Sequence, residues 1–417
     1  MRAVTFNVSV PGFLMARSLG RYTTAARFGS LSGLGMRQVP DPSLPGPEWV
    51  RLRVSFCGIC GSDLGNVSYS SSPAMEPFGS FPAVLGHEIL AVVEEVGPGV
   101  TRVEPGQRVA VDPMLACVSR GYEAADYCPS CSRGLHSTCE NAAEAGPLIV
   151  DGHPLAPGLT MGYHRDLPGG WGEQLVAHET QLFPVAESID DRTATLMEPL
   201  AIGMHAVLGT TVPAAGPVLV IGSGPIAFAT IWALRATGFQ GTLVAQAKRK
   251  NEADLALALG ATEVVKPGPE AREALVATGA QAYMPIIGDE VYSGGGFPLI
   301  FDCVGSPATL AQLLRYAAPR GRAVVLGCAG EIKKLDLTFL WARELDVKGF
   351  VGYGTEEWRG GRPHTFEVTH DLILETGAPL SQMVTHVFPL SQYHDALRAA
   401  DDRRKSGAVK VLLTPEE

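Results

Sequence analysis

A chain of 417 residues that is 46% hydrophobic and 18% charged is long enough for two or three well-cored domains. Its net charge of −10 argues against nucleic acid or an anionic membrane surface as partner. The opening MRAVTFNVSVPGFLMARSLG lacks the charged, apolar, small-residue order of a signal peptide, and the most apolar stretch, Val218 to Leu234, is broken by Gly222, Gly224 and Pro225; the expectation is a cytoplasmic protein with reduced thiols.

From Val50 to Val111 the sequence reads as short strands punctuated by Gly and Pro: VRLRVSFCGICG alternates and turns, ILAVVEEVGPGV enters a Gly-Pro turn, and GQRVAVDP follows. Cys60, His87 and Glu88 in this β region are of metal-ligand type. Next come Cys117, Cys128, Cys131 and Cys139. The C-x2-C core fixes two thiolates on one tight turn, and the flanking pair can close a tetrahedral shell, the pattern of a structural zinc. Disulfides are the alternative, disfavoured because nothing else in the chain looks secreted. A closed site beside an open one suggests one structural and one catalytic zinc. Residues 142–172 lack periodicity and read as a long excursion, a lid or pocket wall. His153, Tyr163, His164, Arg165 and Asp166 within it could face a hydroxyl-bearing substrate, though an ordinary surface loop explains them as well.

Near Asp190 the character changes. DRTATLMEPLAIGMHAVLG has helical spacing, with Asp190 or Asp191 as cap. PVLVIGSGPIAFATIWALRATG then reads as buried strand, glycine turn and helix. TLVAQA and ADLALALGA continue the alternation, and LIFDCVGS and GRAVVLGCAG are further strands, which implies a parallel sheet covered on both faces. Residues 266–297 fit poorly and read as an insertion. After Gly349 the pattern is mixed, and AVKVLLTP closes the chain as a strand returning to the first domain.

The turn Gly222-Ser-Gly224-Pro225-Ile226-Ala227 has the form of a dinucleotide site. Its first glycine permits the tight turn, the second lets backbone approach a pyrophosphate, and the small third residue lets helix and strand pack. The helix N-terminus faces the phosphates with its N–H groups. The acid expected about 20 residues on, to bind the ribose, is missing: Ala245-Gln246-Ala247 leads instead into Lys248, Arg249 and Lys250. A cationic cluster attracts a 2′-phosphate, so NADP(H) is expected rather than NAD(H).

CGICGSD at Cys57–Asp63, GHE at Gly86–Glu88, the four-cysteine loop, Glu198-Pro-Leu and the glycine turn together resemble the zinc-dependent medium-chain alcohol dehydrogenase family, in that family's order and over nearly the whole chain. The polyol and threonine dehydrogenase branch is most similar. The resemblance implies an α/β architecture: a GroES-like β catalytic domain over residues 1–198, a Rossmann domain over 199–349, and a return to the catalytic domain over 350–417. It implies that Cys60 and His87 hold catalytic zinc with a carboxylate, Glu198 or Glu88, as third ligand; Glu198 occupies the branch's usual carboxylate position and Glu88 lies close enough to bind transiently. Cys57 would stand by, although either thiol could ligate on chemical grounds. One thiolate, one neutral imidazole and one carboxylate neutralise Zn²⁺ and leave a fourth position open. Asp63 would orient His87, and Ser62 would relay the alcohol proton. The histidine that ends this relay in some members is replaced by Gly65. Val304, Leu326 and Phe350 to Tyr353 would lie near the nicotinamide. The cysteine loop departs from the family in the ten residues between Cys117 and Cys128. The expectation is a zinc-dependent, NADP(H)-linked alcohol dehydrogenase or carbonyl reductase acting on a small molecule, as a homodimer or homotetramer. An NAD-linked polyol or amino-alcohol dehydrogenase is the alternative. A non-catalytic zinc and nucleotide sensor is a third reading, against which stands the joint presence of Cys60, Ser62, His87 and Glu198.

Overall fold

The computed structural model describes every residue except Arg21, Cys328, Ala329, Lys333 and Glu417. The chain forms two compact units. The first comprises Met1–Glu198, Tyr353–Asp371 and Val384–Glu417; the second comprises Pro199–Gly352 and Leu372–Met383. Residues 372–383 therefore depart from the expected return at residue 350. They belong to the second unit because Trp232 Nε1 donates to Thr376 Oγ1 at 3.2 Å and Leu380 and Met383 are buried.

The first unit is built on a seven-stranded sheet. Its main path runs Leu182–Pro184, Arg108–Val111, Glu88–Val96, Trp49–Gly58, Lys410–Thr414, Val384–Pro389, and Gln174–His178 also pairs with Trp49–Gly58. Alternation explains the central strand: Val50, Leu52 and Val54 are buried, and Arg53 between the last two is exposed. Each such aliphatic contributes about 1.5–3 kcal/mol when removed from water. Two pairings from this strand build the site. Gly58 lies opposite Glu88, and Leu412 opposite Gly58, so the two ends of the chain meet there. A Cβ on Gly58 would fall 1.8 Å from Glu88 Oε2, so only glycine lets that carboxylate pass. A smaller sheet joins Leu34–Gln38, Arg2–Phe6 and Ala83–Val84. Between its first two strands in sequence runs a segment containing a helix, Val10–Leu19, capped by Ser9, which accepts from Gly12 N–H.

In the second unit six parallel strands run in the order Glu263–Val265, Leu243–Gln246, Val218–Ile221, Phe297–Asp302, Ala317–Val325, Asp346–Gly349. The order departs in opposite directions from Val218–Ile221, the switch point at which doubly wound sheets bind ligands. Val218–Ile221 is wholly buried, as is the Ala227–Leu234 stretch of the helix behind it. The poorly fitting 266–297 region resolves into a helix, Pro269–Ala277, and a hairpin of Gln281–Tyr283 with Val291–Ser293. No helix among the described residues is long and apolar enough to cross a membrane.

Candidate functional site

The strand Trp49–Gly58 runs into Cys60, which caps the short helix Gly61–Val67. Asp63 closes that cap from inside: its Oδ2 accepts the Cys60 N–H at 2.8 Å. Its Oδ1 lies 3.5 Å from His87 Nδ1, the only carboxylate within ion-pair distance of that ring among the described residues. Gly86, at φ +90, bends the chain into His87, and a Cβ there would lie 2.2 Å from Trp171 Cδ1. Ligand atoms of Cys60, His87 and Glu88 then fall within 4.8 Å of one another. Cys57 is fully buried, its thiol pushed up by desolvation and by the Asp63 and Glu88 charges.

Glu88 sits among these ligand atoms, but Lys410 Nζ donates to both its oxygens at 2.6 Å, and both side chains are almost completely buried. Lys410 also donates to Ile59 O at 3.2 Å, tying the last strand to the ligand turn. Glu198 falls outside the 4.8 Å set. Its Oε1 accepts from Tyr353 O–H at 3.2 Å, while its buried Oε2 has no hydrogen-bond partner. Burial pushes the Glu198 carboxyl up to about 8, with His87 and Lys410 opposing and Glu88 adding to the rise. A buried, orphaned carboxyl oxygen in electrostatic reach of the His87 imidazole fits a divalent cation better than it fits an empty protein interior. Lys410 and the Tyr353 hydroxyl escaped the sequence reading. The one available signal was a lysine inside the apolar run AVKVLL.

The four sulfurs of Cys117, Cys128, Cys131 and Cys139 lie within 4.8 Å of one another, all buried. The ten residues after Cys117 loop out without removing it from the cluster. Backbone N–H groups of Cys117, Cys128, Cys131 and Glu140 point at these sulfurs at 3.3–3.4 Å, which stabilises negative charge on them. This donor set fits a tetrahedral zinc.

A third group, Asp112, His136 and His364, also converges within 4.8 Å. Here the tautomer argues against a metal. Phe366 N–H donates to His364 Nδ1 at 3.2 Å, so Nε2, 3.3 Å from Asp112 and without a hydrogen-bond partner, is the nitrogen that carries a ring hydrogen.

The excursion carries a hairpin, Gly146–Val150 with His153–Leu155. Four of its five polar residues knit the loop itself. His164, fully buried, donates from Nε2 to Ala156 O at 2.9 Å and accepts the Asp166 N–H at Nδ1. Asp166 accepts from Ala156 N–H and has Arg165 at 3.4 Å and His153 at 3.9 Å. Tyr163 alone reaches the site: its hydroxyl lies 2.9 Å from Ser62 Oγ and 2.7 Å from Asp63 Oδ1, and its ring packs on His87 at 5.2 Å.

In the second unit the glycine turn has the expected form. Gly222 adopts φ +123, and Gly224 caps the helix Pro225–Ala236. Gly222, Gly224, Pro225 and Ile226 are half-exposed between buried flanks. Val304, 45% exposed, lies beside Gly222, and Leu326 N–H donates to Asp302 O. Phe350 packs edge-on to His205, with Lys348 over its ring. The basic cluster is less uniform than expected. Arg249 pairs with the buried Glu252 and Lys250 with Asp254, whereas the Lys248 side chain is exposed. Glu252 also accepts the Lys248 and Arg249 N–H groups, so it is bound into the helix start.

Known proteins match this arrangement. Residues 46–187 match the alcohol dehydrogenase GroES-like domain and residues 225–365 the zinc-binding dehydrogenase domain. The chain is 27% identical over 401 residues to (R,R)-butanediol dehydrogenase of Saccharomyces cerevisiae, covering 90% of this chain and 94% of that protein. It is 28% identical to L-threonine 3-dehydrogenase of Bacillus velezensis, covering 92% and 96%. The crystal structure of 2R,3R-butanediol dehydrogenase from Bacillus subtilis superposes with a TM-score of 0.70 at 22% identity, covering 100% and 99%. Ligand set, glycine turn and both domain matches lead to one conclusion: the chain belongs to the zinc-dependent medium-chain alcohol dehydrogenase/reductase family, in its polyol and threonine dehydrogenase branch, and is an NAD(P)-linked oxidoreductase acting on alcohols.

Proposed function

We propose that the chain interconverts a small hydroxyl-bearing secondary alcohol and its ketone, using NADP(H) and a catalytic zinc, with a second, structural zinc in the four-cysteine loop. The convergence of Cys60 and His87, with a buried, unpartnered Glu198 oxygen in electrostatic reach of the His87 ring, carries this reading. Cys60, His87 and Glu198 would hold the catalytic ion. Glu88, already bonded through both oxygens to Lys410, anchors the ligand turn instead. When bound, zinc supplies Lewis-acid polarisation of the substrate C–O group, and the nicotinamide supplies the hydride donor or acceptor.

The remaining work falls to the chain. Asp63 Oδ1, 3.5 Å from His87 Nδ1, would orient the His87 ring so that its other nitrogen serves the metal. Ser62, two residues beyond Cys60, would pass the proton between the substrate oxygen and solvent water, giving up its own hydrogen as it takes the other. The Gly222–Ala227 turn and its helix N-terminus take the pyrophosphate, with Val304, Leu326 and Phe350 beside the nicotinamide. Two features support NADP(H): no acid occurs between Gly222 and Asn251, and Glu252 is engaged at the helix start. Lys248 and Arg249 would meet the 2′-phosphate. The names of the relatives, butanediol and threonine dehydrogenases, support a substrate with a polar group next to the reacting carbinol.

The test is a panel of diols, polyols, amino alcohols and their ketones assayed in both cofactors, with metal analysis. The expected result is two zincs per chain, chelator-sensitive turnover, and a preference for NADP(H) that Lys248→Ala with Arg249→Ala reduces. An NAD(H) preference unchanged in that variant would overturn the cofactor reading. One zinc and no turnover across the panel would overturn the catalytic one.

A further inference from the structure

We propose that Tyr163 is a positioning residue that sets the direction in which Ser62 presents its hydroxyl proton. This rests on the relay role of Ser62 given above. A tyrosine hydroxyl carries one hydrogen, and that of Tyr163 has two acceptors in reach, Asp63 Oδ1 at 2.7 Å and Ser62 Oγ at 2.9 Å. The two arrangements differ in what Ser62 can do. With the hydrogen on the Ser62 side, a Ser62 lone pair is filled, and the serine's own hydrogen must point elsewhere, as a donor to a carbonyl oxygen. With the hydrogen on the Asp63 side, the serine oxygen is released to accept from an alcohol. Tyr163 keeps its own proton in both arrangements, so one hydroxyl serves both directions of the reaction.

The surroundings are built to hold this geometry. Asp63 is fully buried, and its other oxygen is fixed by the Cys60 N–H. Tyr163 is fixed at its backbone, accepting from Ser80 N–H at 2.8 Å and donating to Thr160 O at 3.2 Å, while its ring rests on His87. Where some members of the resembled family have a relay histidine, this chain has Gly65, and among the described residues it is Tyr163 whose side chain hydrogen-bonds to Ser62.

The test is a double-mutant cycle on the zinc-loaded enzyme with Tyr163→Phe, Ser62→Ala and the pair. Phenylalanine keeps the ring against His87 and removes only the hydroxyl. Tyr163→Phe is expected to lower kcat about tenfold, with cofactor KM and zinc content unchanged, and the pair is expected to equal Ser62→Ala alone. If the phenylalanine variant matches wild type, or its loss recurs in full on the Ser62→Ala background, Tyr163 does not act through Ser62. Wild-type turnover in Ser62→Ala would instead remove the relay itself, an outcome read separately from the single tyrosine variant.

Discussion

At the scale of single residues, the site is organised by buried charges that must be answered. Lys410 and Glu88 form an ion pair of which neither member sees solvent. Removing one partner of such a pair leaves an uncompensated charge and costs about 3–5 kcal/mol. Lys410→Met is therefore expected to lower unfolding free energy by that amount in chemical denaturation, and Lys410→Met with Glu88→Gln to recover most of it. Equal losses in the single and double variants would show that the lysine stem matters rather than its charge. His164 presents the opposite case, a ring kept neutral. Burial lowers it from an ordinary 6.5 to about 4, with the Ala156 carbonyl and Asp166 opposing. The unfolded chain thus takes up this proton at a higher pH than the folded one, so between about pH 6.5 and pH 4 acid favours unfolding. The contribution is on the order of 3 kcal/mol. His164→Gln is expected to flatten the stability profile across that window, and an unchanged slope would assign the acid sensitivity elsewhere.

At the scale of elements, local rules account for much of the framework. Asp190 caps Asp191–Thr195 as its position implied, accepting from Arg192 and Thr193 N–H. Asp190→Ala is expected to cost about 1 kcal/mol in thermal or denaturant unfolding. The four-cysteine loop has little regular structure, only the four-residue helix Pro129–Ser132 and two short 3-10 turns, and its order is argued to come from the metal. Cys131→Ser or a strong chelator should expose residues 117–139 to limited proteolysis, and protection that survives both would remove the metal from that role. The strands, glycine turn and cysteine loop were legible in sequence because each rests on local spacing. The Val10–Leu19 helix was not, because its apolar residues Val10, Phe13 and Leu14 point outward and disguise the buried face of Gly12 and Ala16. Nor was the Pro269–Ala277 helix inside the supposed insertion, masked by its flanking hairpin.

At the scale of the whole molecule, the site is a product of long-range pairing. Residues more than 300 positions apart in sequence, Glu88 and Lys410, meet because the final strand lies beside Trp49–Gly58. Such contacts have no local signature, which is why Cys60, His87 and the Gly222 turn could be read from motifs while Lys410, the Tyr353 hydroxyl and the Ser62–Tyr163 contact could not. The same limit blurred the boundary at residue 372, where Trp232 draws Thr376 into the second unit. The central claim is that Cys60, His87 and Glu198 hold a catalytic zinc. Anomalous diffraction at the zinc edge from crystals of the enzyme as purified tests it most directly. Two peaks per chain are expected, one among the four cysteine sulfurs and one bonded to Cys60 Sγ, a His87 ring nitrogen and a Glu198 oxygen, with Glu88 still paired to Lys410. A zinc-replete crystal with no peak at Cys60 and His87, or a peak coordinated by Glu88 with Glu198 turned away, would contradict it.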